Sequence, residues 1–147
     1  MDSADRPSLE WLRLLTLGIV RGAAGDADEA RSLIARATAI TRELGLEVNA
    51  AATSMQLVLA ERLAGDVRDS ERALWEALVR LEAMDAIGPL ASVAGYLGLL
   101  LCEDGRLEEA ETFARRADEL AVPADVEARV LGRAVRARIE AARGDGA

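Results

Sequence analysis

Three glycines stand forty residues apart in this chain, Gly25, Gly65 and Gly105, and a fourth, Gly144, follows thirty-nine residues later. Each closes an alanine- and leucine-rich stretch. The first three also open another, as in Gly25-Asp26-Ala27-Asp28-Glu29-Ala30 and Gly105-Arg106-Leu107-Glu108-Glu109-Ala110. Self-similarity at a fixed period of roughly 20–50 residues is the mark of a stacked repeat, in which each unit buries its apolar face only against its neighbours. Such architectures are frames on which function is grafted, so the period speaks to fold before it speaks to activity.

The apolar positions between the glycines recur at helical spacing. Leu9, Leu12, Leu15, Ile19 and Val20 share that pattern, which predicts a first helix over 9–23. Asp26 is placed to cap a second helix with Glu29 as its capping-box partner, and Gly45 offers a left-handed residue at that helix's end. The third and fourth helices are expected over about 47–64 and 66–84. Pro89 suits the first turn of a fifth helix reaching Glu103, a sixth covers 107–121, and Asp125 caps a seventh that runs to Arg143. No segment alternates apolar and polar residues for long, so no strand is expected. The fold class is therefore all-α, an α-solenoid of antiparallel helix pairs. The expected organisation is a flexible 1–7, one repeat domain over 8–143 (repeats 8–45, 46–86 and 87–123, half repeat 124–143), and a tail, 144–147.

Composition removes several kinds of function. The 147 residues include no histidine and no lysine, so the commonest general base and the phosphate-loop lysine are both missing. One cysteine, Cys102, supplies neither a disulfide nor a cysteine metal cluster. A net charge of −8 disfavours nucleic acid and acidic membrane surfaces. No apolar run approaches the roughly 18 residues of a membrane span, and Met1-Asp2-Ser3-Ala4-Asp5 lacks the positive start of a signal peptide. The expectation is a cytoplasmic protein without enzymatic activity, cofactor or metal, with no nucleic-acid or membrane partner.

With each periodic glycine set at the turn between two helices, the third repeat shows Leu97-Gly98, Ala110, Ala117 and Pro123. The first shows Leu17-Gly18, Ala30 and Ala37, and the second, more weakly, Leu57-Val58, Ser70 and Ala77. This pattern resembles the tetratricopeptide repeat, although forty residues exceed that family's usual thirty-four or so and imply longer helices. From Glu71 onward, Arg80-Leu81-Glu82-Ala83-Met84-Asp85, Gly105–Glu111 and Asp125–Ala137 are similar to the C-terminal helical repeats of large actinobacterial signalling proteins, which carry a cyclase or a DNA-binding domain beside an ATPase module. The resemblance to tetratricopeptide repeats implies a concave surface formed by the first helix of each pair. The candidate interaction groove is then Leu12, Leu15, Ile19, Met55, Leu59 and Leu99. The longer helices favour the other reading, in which they close over these residues and bury them as ordinary core.

Arg129, Arg133 and Arg136 recur at i, i+4 and i+7 and form a candidate face for an anion or an acidic partner, or a solvated face balanced by Glu127 and Glu140. The acidic clusters Asp26-Asp28-Glu29 and Glu108-Glu109-Glu111 lie in first helical turns, where they complement the helix dipole. Cys102 sits beside Leu99, Leu100 and Leu101 and reads as a small buried residue. The function expected is protein–protein interaction or self-association, with a protein partner or a second copy as in a homodimer, inside a bacterial signalling or regulatory protein. The alternative is a sensor holding an apolar small molecule between helices. Helices one and seven are the ones expected to need a cover, since helix one is apolar almost all round.

Overall fold

The computed structural model describes residues 5–63 and 70–144, and these form seven helices and no strand: α1 Asp5–Ala23, α2 Ala27–Glu43, α3 Glu47–Leu63, α4 Ser70–Ala83, α5 Ile87–Glu103, α6 Leu107–Leu120 and α7 Val126–Gly144. The fold is all-α, as the periodicity predicts. Gly65 and the start expected for α4 lie outside the described residues.

Punctuation between the helices is regular. Gly25, Gly45 and Gly105 have φ of 89°, 71° and 74°, and Asp85 has φ of 49°. Each is the left-handed residue of the same C-terminal motif. At Gly25 the Asp26 amide donates to the Arg21 carbonyl at 2.9 Å and the Gly25 amide to Gly22 at 2.9 Å. The same pair of bonds recurs at 45, 85 and 105, and satisfies carbonyls that the helix end would otherwise leave bare. The four residues fall on a spacing of twenty, half the glycine period. The half-period is hidden in the sequence because position 85 holds aspartate, whose short polar side chain tolerates the left-handed region. Between turns, α2, α3 and α5 are each 17 residues long, which is about 25 Å of helix. Asp26 accepts from the Glu29 amide at 3.1 Å and Asp125 from the Ala128 amide at 3.0 Å, so both expected caps are in place. α5 begins at Ile87 rather than Pro89, because Asp85 already makes the turn and leaves Pro89 inside the first helical turn. α1 begins at Asp5, four residues before Leu9, with Pro7 likewise in its first turn.

The residues expected to form one repeat domain fall into two compact units, Met1–Ala73 and Leu74–Ala147. In the first, α1 packs on α2, α2 on α3 and α1 on α3. Ala30, Ile34 and Ala60 form its core cluster, with Leu15 and Leu57 packed against it. In the second, α5, α6 and α7 repeat the same triangle. Trp75 of α4 meets Phe113 of α6 edge-on, with ring centroids 5.2 Å apart. α5 has no charged residue before Glu103 and is buried nearly all round. In both units a helix therefore touches its successor and the helix after that.

Small residues set how closely these helices approach. A Cβ placed on Gly22 of α1 would come within 2.6 Å of the Ala60 carbonyl of α3 and 2.7 Å of its Cα. On Gly95 of α5 it would lie 2.5 Å from Leu131 Cβ of α7, and on Gly98 it would lie 3.0 Å from Val135. Gly18 makes the equivalent room for Ile34 of α2. Packing at native density leaves no slack for an added methyl at such points.

Two substitutions separate turn geometry from helix contact. Alanine is the better helix former than glycine by about 1 kcal/mol, yet Gly22→Ala is expected to lose about 1–3 kcal/mol of stability in urea unfolding, because the Ala60 backbone cannot yield as a side chain can. Asp85→Gly is expected to gain about 0.5–1 kcal/mol by relieving left-handed strain, less the entropy cost of a glycine. A more stable Gly22→Ala protein would show that α1 and α3 are not in close contact.

Candidate interaction surfaces

α1 buries one stripe and exposes another of nearly equal hydrophobicity. Leu14, Gly18 and Gly22 face inward, whereas Leu9, Leu12, Leu17 and Val20 are exposed, Leu12 by 46% and Val20 by 58%. Single exposed leucines are ordinary, but four large apolar side chains within one helix face, with Arg13 set between Leu9 and Leu17, are a feature that marks an interaction site. Thr16 lies in the same stripe and donates its hydroxyl to the Leu12 carbonyl at 2.9 Å. Arg13, four residues from both Leu9 and Leu17, lies within this face and is forked onto Glu10 through bonds of 2.8 and 2.9 Å. That pairing holds the Glu10 carboxyl below its ordinary range.

The six groove residues divide. Leu12 is exposed. Leu15 packs on the Ala30–Ile34–Ala60 core and Met55 is 3% exposed, so these two fill the interior of the first unit. Ile19 and Leu59 of that unit are half-buried, as is Leu99 of the second unit. Arg129, Arg133 and Arg136 are all exposed on α7, but two of them are engaged locally. Arg129 donates to the Pro123 carbonyl at 3.3 Å, and Arg136 pairs with Asp118 of α6. Gly132 makes that second pair possible, since a Cβ there would sit 2.8 Å from an Asp118 carboxylate oxygen. Asp118 in turn raises the pKa of Arg136. Beside this pair lies a shallow groove of about 100 Å³ lined by Glu111, Arg136, Ile139, Glu140 and Arg143, below the roughly 300–1,000 Å³ of ordinary ligand pockets.

One polar cluster escapes a reading of the sequence. Glu127 of α7 accepts from Tyr96 Oη at 2.9 Å through one carboxylate oxygen and from Ser92 Oγ at 3.1 Å through the other. Ser92 is buried and Tyr96 half-buried, so the carboxylate satisfies two donors that α5 would otherwise carry into its apolar contact with α7. The available signal was the i, i+4 spacing of two hydroxyls on a helix with no other polar residue before Cys102. Burial first, and then the bond to Glu127, push the Tyr96 phenol well above its ordinary range. Burial also pushes up the Cys102 thiol, which lies 3.9 Å from the Val135 carbonyl, so it is a contact residue and not an activated nucleophile.

Further ion pairs tie neighbouring helices. Arg31 meets Glu61 at 2.6 Å between α2 and α3, and Glu111 meets Arg143 at 2.9 Å between α6 and α7, the same kind of bridge with its charges reversed. Among the described residues no group of three or more acidic or cysteine side chains is arranged to hold a metal, and no helix is long and apolar enough to cross a membrane. No family model matches this sequence, and a search of curated proteins finds no match to it.

Tyr96 is the sole tyrosine, so its ionisation can be read directly at 295 nm. Its folded pKa lies above that of the unfolded chain. The neutral phenol's contribution is therefore fully present below about pH 10 and is lost as the pH rises beyond it. The absorbance change is expected to coincide with alkaline unfolding followed by circular dichroism. Ionisation near pH 10 in a still-folded protein would show that the phenol is neither buried against α7 nor bonded to Glu127.

Proposed function

We propose that this chain is a non-catalytic helical-repeat module that works by binding protein, in the manner of an interaction or self-association region of a bacterial signalling or regulatory protein. The observation that carries the reading is the outer face of α1. Leu9, Leu12, Leu17 and Val20 offer water an apolar stripe on a helix whose opposite face already serves the core. Folding leaves these four side chains 36–59% open to water. Burying one fully is worth about 1.5–3 kcal/mol, which a docked protein surface would supply.

The chemistry of the remaining side chains supports binding over turnover. The clustered acids Glu108 and Glu109 are exposed in the first turn of α6. Arg106 holds Glu109 below its ordinary pKa through a hydrogen bond, the opposite of what a general acid needs. The lone thiol is shifted away from reactivity. A signalling context rests on the resemblance of the 71–137 segment to actinobacterial repeat regions, and a cytoplasmic site of action on the same likeness.

The test is a photoreactive amino acid placed at Leu12 in the full chain in living cells, with Glu108 as a control on a solvated helix face. Illumination is expected to give a discrete protein adduct of defined mass from position 12 and none from position 108. The absence of any protein adduct from position 12, in a protein that remains folded, would remove the interaction reading.

A further inference from the structure

Aspartate stands directly before glycine twice in this chain, at Asp104-Gly105 and at Asp145-Gly146, and the second pair lies outside the described residues. Asp104 and Gly105 make the turn between α5 and α6, where Asp104 is exposed. The three other turns of the same form carry Ala24, Leu44 and Met84 at that place. Aspartate before glycine is chemically reactive, because the glycine nitrogen attacks the side-chain carboxyl and no Cβ obstructs it. A bond forms from the Gly105 nitrogen to the Asp104 side-chain carbon, and the amide proton and the carboxyl hydroxyl leave together as water. Water then adds to the main-chain carbonyl carbon of the resulting ring and breaks its bond to the Gly105 nitrogen. The chain now runs through the side-chain carbon, and the former main-chain carbonyl is a free carboxylate. The product is isoaspartate, equal in mass to the starting residue.

The folded turn opposes the first of these steps. Asp104 has ψ of 0°, so the Gly105 nitrogen eclipses the nitrogen of Asp104 itself and is turned away from Cβ and the carboxyl. Attack requires rotation about that bond. The Gly105 amide lies beyond it and donates to the Cys102 carbonyl at 3.1 Å, and the Arg106 amide donates to the Leu101 carbonyl at 2.9 Å. Neither hydrogen bond survives the rotation, so the turn must open before the ring closes. The product then stands in the way of reclosure. Isoaspartate adds a methylene to the main chain between α5 and α6, where a Cβ placed on Gly98 would already lie 3.4 Å from the Ala110 carbonyl. A longer turn cannot restore both hydrogen bonds and keep that approach.

We infer that the α5–α6 turn is a gated site of spontaneous isomerisation: Asp104 converts to isoaspartate only from molecules in which this turn has opened, and the converted chain does not close it again. Local opening of this kind occurs in a small fraction of folded molecules at any moment. Conversion therefore accumulates slowly in the folded protein and marks the molecules whose second unit has loosened.

The experiment uses the full chain, incubated in mildly acidic buffer at physiological temperature with and without denaturing urea. A protease that cuts before aspartate but not before isoaspartate then reports position 104, as an uncut peptide of unchanged mass. Conversion is expected to be at least tenfold slower in the folded chain. Arg106→Pro removes the amide that closes the turn on Leu101 and leaves Asp104-Gly105 intact. Without urea, and whether or not that variant folds, its Asp104 is expected to convert at the rate of the unfolded chain. The isoaspartate form, separated by ion exchange and returned to native buffer, is expected to have a lower urea midpoint than the starting protein. Equal conversion in the folded and unfolded chain would overturn the gate. An isoaspartate form with an unchanged urea midpoint would overturn the claim that the turn does not close again.

Discussion

The left-handed residue that closes α1, α2, α4 and α5 alike is the constraint from which the rest of the structure follows. Gly25, Gly45, Asp85 and Gly105 each reverse the chain after a helix of similar length and satisfy the same two carbonyls. These reversals lay α1, α2 and α3 of the first unit, and α5, α6 and α7 of the second, against one another, so that α1 also meets α3 and α5 also meets α7. Small residues make those contacts close, since Gly22 admits the Ala60 backbone where a methyl group would not fit. Turn spacing and helix contact are thus one requirement expressed at two scales.

That requirement explains how the polar groups are placed. Buried Thr38 and Thr41 return their hydroxyls to carbonyls of their own helix, so they enter the core of the first unit without a demand on their neighbours. Ser92 and Tyr96 lie on the helix face turned towards α7, and Glu127 meets both. The bridge of Arg31 to Glu61 and its charge-reversed counterpart of Arg143 to Glu111 are exposed in part and carry little net energy. Their reversal indicates that position matters more than sign. What holds each unit is apolar contact at small residues.

Much of this was legible from residue order alone. Helix number, the caps Asp26 and Asp125, and the turns at Gly25, Gly45 and Gly105 follow from local chemistry, which is what a sequence records most directly. Asp85 was not legible as a turn residue because aspartate serves helix starts and loops as readily as the left-handed region. The early start of α1 was obscured by Pro7, which is accepted inside a first turn as well as before one. The division of α1 into a core face and an open face could not be read, since Leu14 and Leu15 on one side differ little from Leu12 and Leu17 on the other. Leu15 and Met55, grouped with a groove by analogy to shorter repeats, instead fill the interior of the first unit. The Glu127 bridge joins residues 31 and 35 positions apart, and so appears only once α5 and α7 are adjacent.

α1 meets α3, and α5 meets α7, at small residues on α1 and α5. Nuclear Overhauser spectroscopy on protein labelled at its alanine, isoleucine and leucine methyls reads these contacts. Strong cross-peaks are expected from the Gly22 α-protons to the Ala60 methyl and from the Gly95 α-protons to the Leu131 methyls. Their absence, with cross-peaks between α1 and α2 still present from Gly18 to Ile34, would contradict it. It would mean that the helix pairs form without the stacking from which the two candidate surfaces are derived.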